Sequence, residues 1–180
     1  MSQHDILAEC LKRIATPSDI NEHMALLTLL SSMSESVVEF GSGNCNSTWA
    51  LLAGQPDTMR SYDIVRNPWF RDVEEAVVDT GVDFRFVTAS STDAVIEPCD
   101  LLFIDSSHTY EHCKKELFMQ SGRVRFWIVL HDTTSRAVTG DYDKGIGIWP
   151  AVEEFLAITP AWRIMARFTN NSGLTVLERI

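Results

Sequence analysis

The sequence predicts an α/β fold, a doubly wound and mostly parallel sheet of seven strands that ends in an antiparallel β-hairpin and is preceded by N-terminal helices. Two observations carry this prediction. From Ser36 onward, short apolar runs alternate with amphipathic segments, as expected for parallel strands joined by helical crossovers. Near the end, two apolar runs are separated only by residues 170–173, which leaves no room for a helix, so these two runs pair as a hairpin.

Helical periodicity marks the first 33 residues. Apolar side chains recur at helical spacing in the second part of this segment, at Ile20, Met24, Leu27 and Leu30. We expect these helices to cover one end of the sheet. No linker or repeat divides the chain, and domains commonly run to roughly 100–200 residues. Residues 1–180 are therefore predicted to form a single domain, of which residues 1–33 are a helical cover.

Seven apolar runs predict the strands. They lie at residues 37–40, 60–64, 84–87, 101–105, 126–130, 163–169 and 174–179. The fourth and fifth runs are continuously apolar, which suits strands that are buried on both faces. Helical patterns stand between the runs, for example at residues 69–78, 111–119 and 150–158.

Composition excludes several classes of protein. Of 180 residues, 45% are apolar and 22% charged, which is ordinary for a globular domain and excludes a disordered chain. Fifteen basic and twenty-five acidic side chains give a net charge of −10, and a surface this negative repels phosphate backbones and anionic lipids. We therefore expect neither nucleic acid nor membrane among the partners.

The N-terminus and the cysteines indicate the cellular compartment in which we expect the protein. The N-terminal segment lacks the basic start and the uninterrupted apolar centre of a signal peptide. The four cysteines are scattered without a Cys-x-x-Cys pair, so free thiols in a reducing compartment are the simplest interpretation. The expected location is cytoplasmic.

A glycine-containing loop follows the first predicted strand. In open α/β sheets, ligands bind beyond the carboxyl ends of the strands. Gly41 and Gly43 permit a close approach of backbone to ligand, and Asn46 or Ser47 is placed to cap the next helix. An ordinary strand-to-helix turn that needs two glycines is the alternative interpretation.

Two details point to an adenosine ligand other than NAD. The third glycine of a dinucleotide fingerprint is replaced by Asn46, which disfavours NAD. Asp63 ends the second strand, 20 residues after Gly43, where a carboxylate can accept both hydrogen bonds of a ribose diol. Asp63 as a mere turn residue remains the alternative.

With these motifs the sequence resembles the class I S-adenosylmethionine-dependent methyltransferases. Among them it is similar to small members related to the metal-dependent sugar and catechol O-methyltransferases and to the cephalosporin-hydroxylase-like group. The resemblance covers nearly the whole chain, and the terminal hairpin fits the reversed last strand of the family. Its motifs are residues 18–23 (SDINEH), 37–43 (VVEFGSG), 47–49 (STW), 102–110 (LFIDSSHTY) and 128–133 (IVLHDT).

The resemblance implies S-adenosylmethionine as the cofactor. It implies that Glu39, Gly41 and Gly43 hold the methionine part and that Asp63 holds the ribose. The third loop glycine of the family often falls where Cys45 stands, so the loop departs from the family there. The remaining cofactor-binding residues that we predict are Ser42, Asn44, Ser47, Thr48 and Asp105.

Acidic residues end two further strands. Asp105 and Asp132 follow the fourth and fifth runs, and if these strands are neighbours their ends lie roughly 5 Å apart. Converging carboxylates repel unless one is protonated or a cation lies between them. Asp105, His131 and Asp132 are therefore the predicted metal ligands, for Mg²⁺ or, because His131 replaces a carboxylate of the related enzymes, for a softer divalent cation.

His108 follows Asp105 by three residues. This spacing resembles the metal-dependent sugar O-methyltransferases, which implies that Asp105 and His108 are catalytic and that His108 is the general base. The alternative is that Asp132 caps a loop and His108 is a solvated residue at the end of a strand.

The predicted function is transfer of the methyl group of S-adenosylmethionine to a small acceptor, with a hydroxyl oxygen as the expected acceptor atom. A non-catalytic cofactor-binding or interaction module is the alternative, and an NAD or nucleotide-sugar enzyme is a third. Little chain is left for acceptor recognition. A lid at residues 135–146, the N-terminal helices or a second copy of the chain in a homo-oligomer would have to supply it.

Overall fold

The computed structural model describes residues 3–78, 80–141 and 145–180. These residues form one seven-stranded sheet flanked by helices. The strands are β1 (Ser36–Phe40), β2 (Thr58–Asp63), β3 (Asp83–Thr88), β4 (Cys99–Ile104), β5 (Val124–His131), β6 (Trp162–Phe168) and β7 (Leu174–Arg179). The helices are α1 (Gln3–Ile14), α2 (Met24–Ser32), α3 (Asn46–Ala53), α4 (Phe70–Val77), α5 (Tyr110–Gln120) and α6 (Trp149–Ile158), with short 3₁₀ helices at Asn21–His23 and Ser121–Arg123.

The strand order is β3-β2-β1-β4-β5-β7-β6. The first five strands are parallel, whereas β7 runs antiparallel to both β5 and β6. The predicted α/β class, the seven strands and the closing hairpin are all confirmed. The reversal after β5 distinguishes this sheet from a dinucleotide-binding sheet, in which the parallel order continues to its sixth strand.

Side chains alternate between two cores, one on each face of the sheet. Val37 and Leu101 face one core, which the helices α1 to α4 cover. Val38 and Leu102 face the other core, which contains residues of α5 and α6. The continuous apolar runs therefore belong to central strands that are covered on both faces, as the sequence predicts.

The connection between β3 and β4 differs from the other crossovers. Residues 89–98, all of them described, form turns and irregular backbone, and none of them is helical. Only a short loop therefore follows the carboxyl end of β3.

Register places the ends of the central strands side by side. Phe40 pairs with Ile104, and Ile104 pairs with Leu130. The residues that follow β1 and β4, and the end of β5, consequently meet at one edge of the sheet. Because β7 is antiparallel and its Leu174 pairs with His131, the turn between β6 and β7 lies at this same edge.

Within the described ranges, none of the helices has both the length and the apolar character that crossing a membrane requires.

Candidate active site

The loop after β1 lies against the end of β4. Gly41 has a φ of +79°, and a Cβ built on it would lie 2.0 Å from the carbonyl oxygen of Asp105. Only glycine allows the two loops to approach this closely. Gly43 also has a positive φ, +44°, but a Cβ there would meet nothing within 4 Å. The two glycines of the motif thus meet different constraints.

Asp63, the last residue of β2, closes this loop. Its Oδ2 accepts hydrogen bonds from the N–H and the hydroxyl of Ser42, each at 3.0 Å, and from the N–H of Gly43 at 3.4 Å. Its Oδ1 accepts the N–H of Val65 at 3.2 Å. A ribose diol that binds Asp63 has to share or replace these bonds, so the predicted ribose contact stays a prediction.

Glu39 organises the inside of the loop. It is fully buried, and it accepts hydrogen bonds from the hydroxyls of Ser47 at 2.6 Å, Thr48 at 2.8 Å and Ser61 at 2.5 Å. Burial raises the pKa of Glu39 to about 7, and the three hydroxyl bonds oppose that rise only in part. The hydroxyls of Ser47 and Thr48 are thus engaged with Glu39, and none of the three side chains lines the open cleft, so their predicted cofactor contacts stay predictions.

The start of α3 also differs from the prediction. Cys45 stands at the N-cap with φ +63°, and no side chain caps the helix. The side-chain oxygen of Asn46 accepts a hydrogen bond from Arg13 at 2.7 Å, and the hydroxyl of Ser47 is already engaged. Arg13 also donates to the backbone carbonyl of Asn44 at 3.1 Å. Asn44 lies beside α1 and does not line the cleft, and its predicted cofactor contact stays a prediction.

A cleft of about 300 Å³ opens where the loops after β1, β2, β3 and β4 meet. Its position beyond the carboxyl ends of the strands is where ligands bind in open α/β sheets. The cleft is lined by Gly41, Gly43, Tyr62, Asp63, Ile64, Ala89, Ser90, Ser91, Asp105, Ser106, Ser107 and His112.

Sequence reasoning missed one side of this cleft. Ser90 and Ser91 follow β3, and Nε2 of His112 on α5 lies 2.9 Å from the hydroxyl of Ser91. The two serines could have been found, because they come shortly after the third predicted strand. His112 carries no such signal, since it is placed in the cleft only by the packing of a helix.

On the other side of Asp105, two imidazoles lie among carboxylates. Nε2 of His108 is 3.2 Å from Oδ1 of Asp105 and 3.1 Å from Oδ2 of Asp132. Nδ1 of His131 is 3.1 Å from the same Asp105 oxygen. We refer to Asp105, His108, His131, Asp132 and Asp141 as the acid–imidazole cluster. The convergence of Asp105 and Asp132 that the strand order predicts is thus present, with His108 between them.

Asp141 fixes the orientation of His108. One oxygen of Asp141 accepts the backbone N–H of His108 at 2.8 Å, and the other lies 2.9 Å from Nδ1 of the ring. Nδ1 therefore carries a hydrogen, and Nε2 is directed toward Asp105 and Asp132. Sequence reasoning did not find Asp141, because it lies 33 residues further along the chain in a loop without periodicity.

His131 is held from the opposite side. Its side chain is fully buried, and its Nε2 lies 3.1 Å from the backbone carbonyl oxygen of Asp19. Because a carbonyl oxygen only accepts, Nε2 carries a hydrogen, and Nδ1 faces Asp105. Metal-binding histidines commonly use one nitrogen in this way and present the other to the ion.

The predicted metal ligands lie within reach of a single ion. One ligand atom each from Asp105, His131 and Asp132 can be chosen so that all three lie within 4.8 Å of one another. Asp132 has a φ of +59°, and one of its oxygens accepts the hydroxyl of Ser135. Two carboxylates and an imidazole suit a divalent cation, and the nitrogen donor favours a softer ion than Mg²⁺.

Charge dominates the electrostatics of the cluster. Burial alone would lower the pKa of both histidines, but the hydrogen bond and the charge of Asp105, together with the charge of Asp132, outweigh it. These two carboxylates together raise the pKa of His108 and of His131 to about 9. Burial would raise the pKa of Asp105, yet its bonds to the two histidines hold that pKa well below its usual range.

The predicted lid, residues 135–146, is described except for residues 142–144. Its two sides are joined by a bridge between Thr139 and Ile146. The N–H of Gly147 donates to the carbonyl of Val138 at 2.8 Å, and Asp141 extends from this loop to His108. The loop thus contributes a residue to the cluster, while its movement as a lid stays a prediction.

Solved structures resemble this chain over almost its whole length. A protein from Corynebacterium glutamicum superposes with a TM-score of 0.70 at 17% identity, covering 97% of this chain and 89% of that one. The O-methyltransferase from Bacillus cereus in complex with S-adenosylhomocysteine (SAH) gives 0.68 at 16% identity, with 98% and 91% covered. The chain has the class I methyltransferase fold.

The methyltransferase fold does not fix the acceptor atom. The N-methyltransferase NodS from Bradyrhizobium japonicum WM9 also matches, with a TM-score of 0.65 at 13% identity and coverage of 89% and 96%. No protein-family model and no curated protein sequence matches the chain. The function therefore has to be argued from the residues of the site.

Proposed function

We propose that the protein transfers the methyl group of S-adenosylmethionine to a hydroxyl oxygen of a small acceptor. The position of Asp105 carries this proposal, because Asp105 lines the cleft and is also the centre of the acid–imidazole cluster. A cofactor that fills the cleft can therefore present its reactive end to the cluster. The methyltransferase fold supports the same proposal.

The cleft suits an adenosyl group. Asp63 offers carboxylate oxygens to the ribose hydroxyls, and the backbone of Gly41 lines the cleft where the methionine part would lie. The exposed side chain of Ile64 supplies an apolar surface for the adenine ring, and Ser90 and Ser91 supply polar groups near its edge. These are the contacts that we propose for the cofactor.

The cluster suits the acceptor. In the transfer, the bond between sulfur and the methyl carbon breaks, a bond from oxygen to that carbon forms, and the hydroxyl proton leaves. We assign this proton to Nε2 of His108, because Asp141 holds Nδ1 and turns Nε2 toward Asp105 and Asp132. For this role Nε2 has to be unprotonated, and the acceptor hydroxyl has to replace a carboxylate as its hydrogen-bond partner.

A divalent cation fits the same residues. Asp105, His131 and Asp132 would hold it, since their ligand atoms are close together and Nε2 of His131 already bonds a carbonyl. Such an ion lowers the pKa of a hydroxyl that it binds. Asp105 and Asp132 would then orient the acceptor through the ion as well as through hydrogen bonds.

Calorimetry with S-adenosylmethionine, SAH and NAD, each with and without Mg²⁺ or Mn²⁺, tests the cofactor assignment. We expect binding of both sulfur compounds and none of NAD. Failure of both sulfur compounds to bind would overturn the proposal.

Turnover on a panel of catechols, sugars and amines tests the reaction. Asp132→Asn should leave SAH affinity within about twofold and abolish turnover, because Asp132 lies in the cluster and outside the cleft. Asp93→Asn changes an exposed carboxylate on the β3–β4 connection and is the matched control. It should retain both the SAH affinity and the turnover. Methylation of amines alone would contradict the hydroxyl acceptor. Binding without any turnover would favour a non-catalytic module.

A further inference from the structure

The turn between β6 and β7, residues 170–173, touches chain segments on both sides of the acid–imidazole cluster without belonging to the cluster itself. It lies at the same edge of the sheet because β7 runs antiparallel to β5. Its partners on one side come from the N-terminal cover, and those on the other side come from the loop after β5.

On the N-terminal side, one side chain makes the decisive contacts. The amide oxygen of Asn171 accepts the backbone N–H of Glu22 at 3.1 Å, and its amide nitrogen donates to the carbonyl of Ser18 at 2.7 Å. Asn171 therefore spans the chain on either side of Asp19. His23, which is buried, adds a third attachment, since its Nε2 lies 3.0 Å from the carbonyl oxygen of Asn170.

The segment fastened in this way orients a cluster residue. The carbonyl oxygen of Asp19 lies 3.1 Å from Nε2 of His131. Because a carbonyl oxygen only accepts, that bond requires a hydrogen on Nε2, and it leaves Nδ1 facing Asp105. If residues 18–22 moved away, His131 would lose the partner that accepts its Nε2 hydrogen and holds the direction of its ring.

On the other side, the same turn holds the loop that follows Asp132. The carbonyl of Ser172 accepts N–H groups of Thr134 at 3.0 Å and Ser135 at 2.9 Å, and that of Gly173 accepts the N–H of Thr133 at 3.3 Å. The turn thus fastens the chain beside both His131 and Asp132.

We infer that Asn171 is a positioning residue of the active site, which holds the carbonyl of Asp19 against His131 and thereby aims Nδ1 at the carboxylates. The inference rests on the proposed function only in treating His131 as part of the site. The contacts that carry it are independent of any cofactor.

The residue type agrees with this role. Asn171 has a φ of +45°, a left-handed conformation that asparagine tolerates better than most residues with a side chain. Glycine would adopt that conformation with less strain, but it has no amide to reach Ser18 and Glu22. Asn171→Gly therefore removes these bonds, and a longer one at 3.4 Å to the side-chain oxygen of Asn21, while sparing the backbone.

The imidazole N–H signals of ¹⁵N-labelled full-length protein provide the test, with His131 assigned through His131→Gln. We expect the Nε2 hydrogen of His131 to exchange with water at least tenfold faster in Asn171→Gly than in the unmodified protein. SAH affinity should change less than twofold, because the cleft lies on the other side of Asp105. Mn²⁺ affinity should fall about tenfold, as is usual when a partner of a metal-binding histidine is lost.

Two further variants keep the test decisive. Asn171→Asp retains the bond to Glu22 and loses the donor to Ser18, so its exchange rate should be intermediate, and it decides the test if Asn171→Gly does not fold. Asn170→Ala is the matched control, because it removes only a side-chain bond to Glu22 and keeps the carbonyl that His23 uses. Its exchange rate should equal that of the unmodified protein.

An unchanged His131 signal in a folded Asn171 variant would overturn the inference. An equal loss of SAH affinity would also overturn it, since that result indicates a general structural role. If the unmodified protein binds neither SAH nor Mn²⁺, the proposed function fails, while the exchange measurement still decides the role of Asn171.

Discussion

The cleft and the acid–imidazole cluster share Asp105, yet they are stabilised in different ways. Around the cleft, hydroxyls and backbone N–H groups bond single carboxylates, and partners are close in sequence, as with Ser42 and Asp63, 21 residues apart. In the cluster, charged groups face one another, and His131 takes its outer partner from Asp19, 112 residues away.

This difference teaches which part of a site a local motif can encode. Glu39 and its hydroxyl partners come from β1, α3 and β2, three elements that follow one another along the chain. The cluster exists only after distant segments have packed. We therefore expect substitutions in the cleft to act through backbone geometry, and substitutions in the cluster to act through charge and pH.

Gly41→Ala is expected to have the largest effect. A Cβ at Gly41 would lie 2.0 Å from the carbonyl oxygen of Asp105, and the backbone there has a positive φ. Strain of about 3 kcal/mol corresponds to a loss of SAH affinity of roughly 100-fold. Calorimetry measures this loss. Gly43→Ala is the control, because its Cβ would meet nothing within 4 Å, and its loss should be much smaller. Equal losses would mean that the contact with Asp105 is not what constrains the loop.

Asp63→Ala should weaken SAH binding by roughly 10- to 100-fold, since hydrogen bonds to charged groups contribute about 1.5–3 kcal/mol. The variant removes both the proposed ribose acceptor and the partner of Ser42 and Gly43. Ser42→Ala, which removes only the hydroxyl bond, separates the two contributions in the same titration. Unchanged affinity in Asp63→Ala would refute the ribose assignment.

The smallest expected effect concerns the pH dependence of stability. The pKa of His108, raised to about 9, lies above its ordinary value of 6.5, so its pairing stabilises the fold fully below pH 6.5 and is lost as pH rises through 9. The free energy of unfolding, measured with urea at pH 7 and pH 10, should therefore fall between these values. Asp141→Asn should reduce that fall by about 0.5–1 kcal/mol.

Asp93→Asn is the control for this measurement, because Asp93 is exposed and its ion-pair partner is Lys115. Its fall in stability should match that of the unmodified protein. An unchanged fall in Asp141→Asn would show that the pairing of Asp141 with His108 does not contribute.

The fold was predictable because its signals are periodic and repeated. Alternating apolar runs located every strand, and the short spacer at residues 170–173 was enough to establish the antiparallel hairpin. The positions of Asp63 and Asp105 at strand ends followed from the same runs. These residues required no knowledge of how loops pack.

The remaining features depend on contacts that no local pattern records. Asn46 was expected to cap α3, but Arg13 of α1 takes its side-chain oxygen. Asp141 and Asp19 reach the cluster from a loop and from the N-terminal cover, and neither has a periodic neighbour that would place it there. Such positions follow from tertiary packing and become visible only in the structure.

The antiparallel hairpin also has a consequence for the order in which the protein matures. Chains are synthesised from the N-terminus at roughly 5–20 residues per second, and early segments begin to fold first. The cleft is complete once His112 has emerged, whereas Asn171 follows 59 residues later. During synthesis there is therefore an interval of several seconds in which a nascent chain can possess the cleft before the acid–imidazole cluster has been fastened.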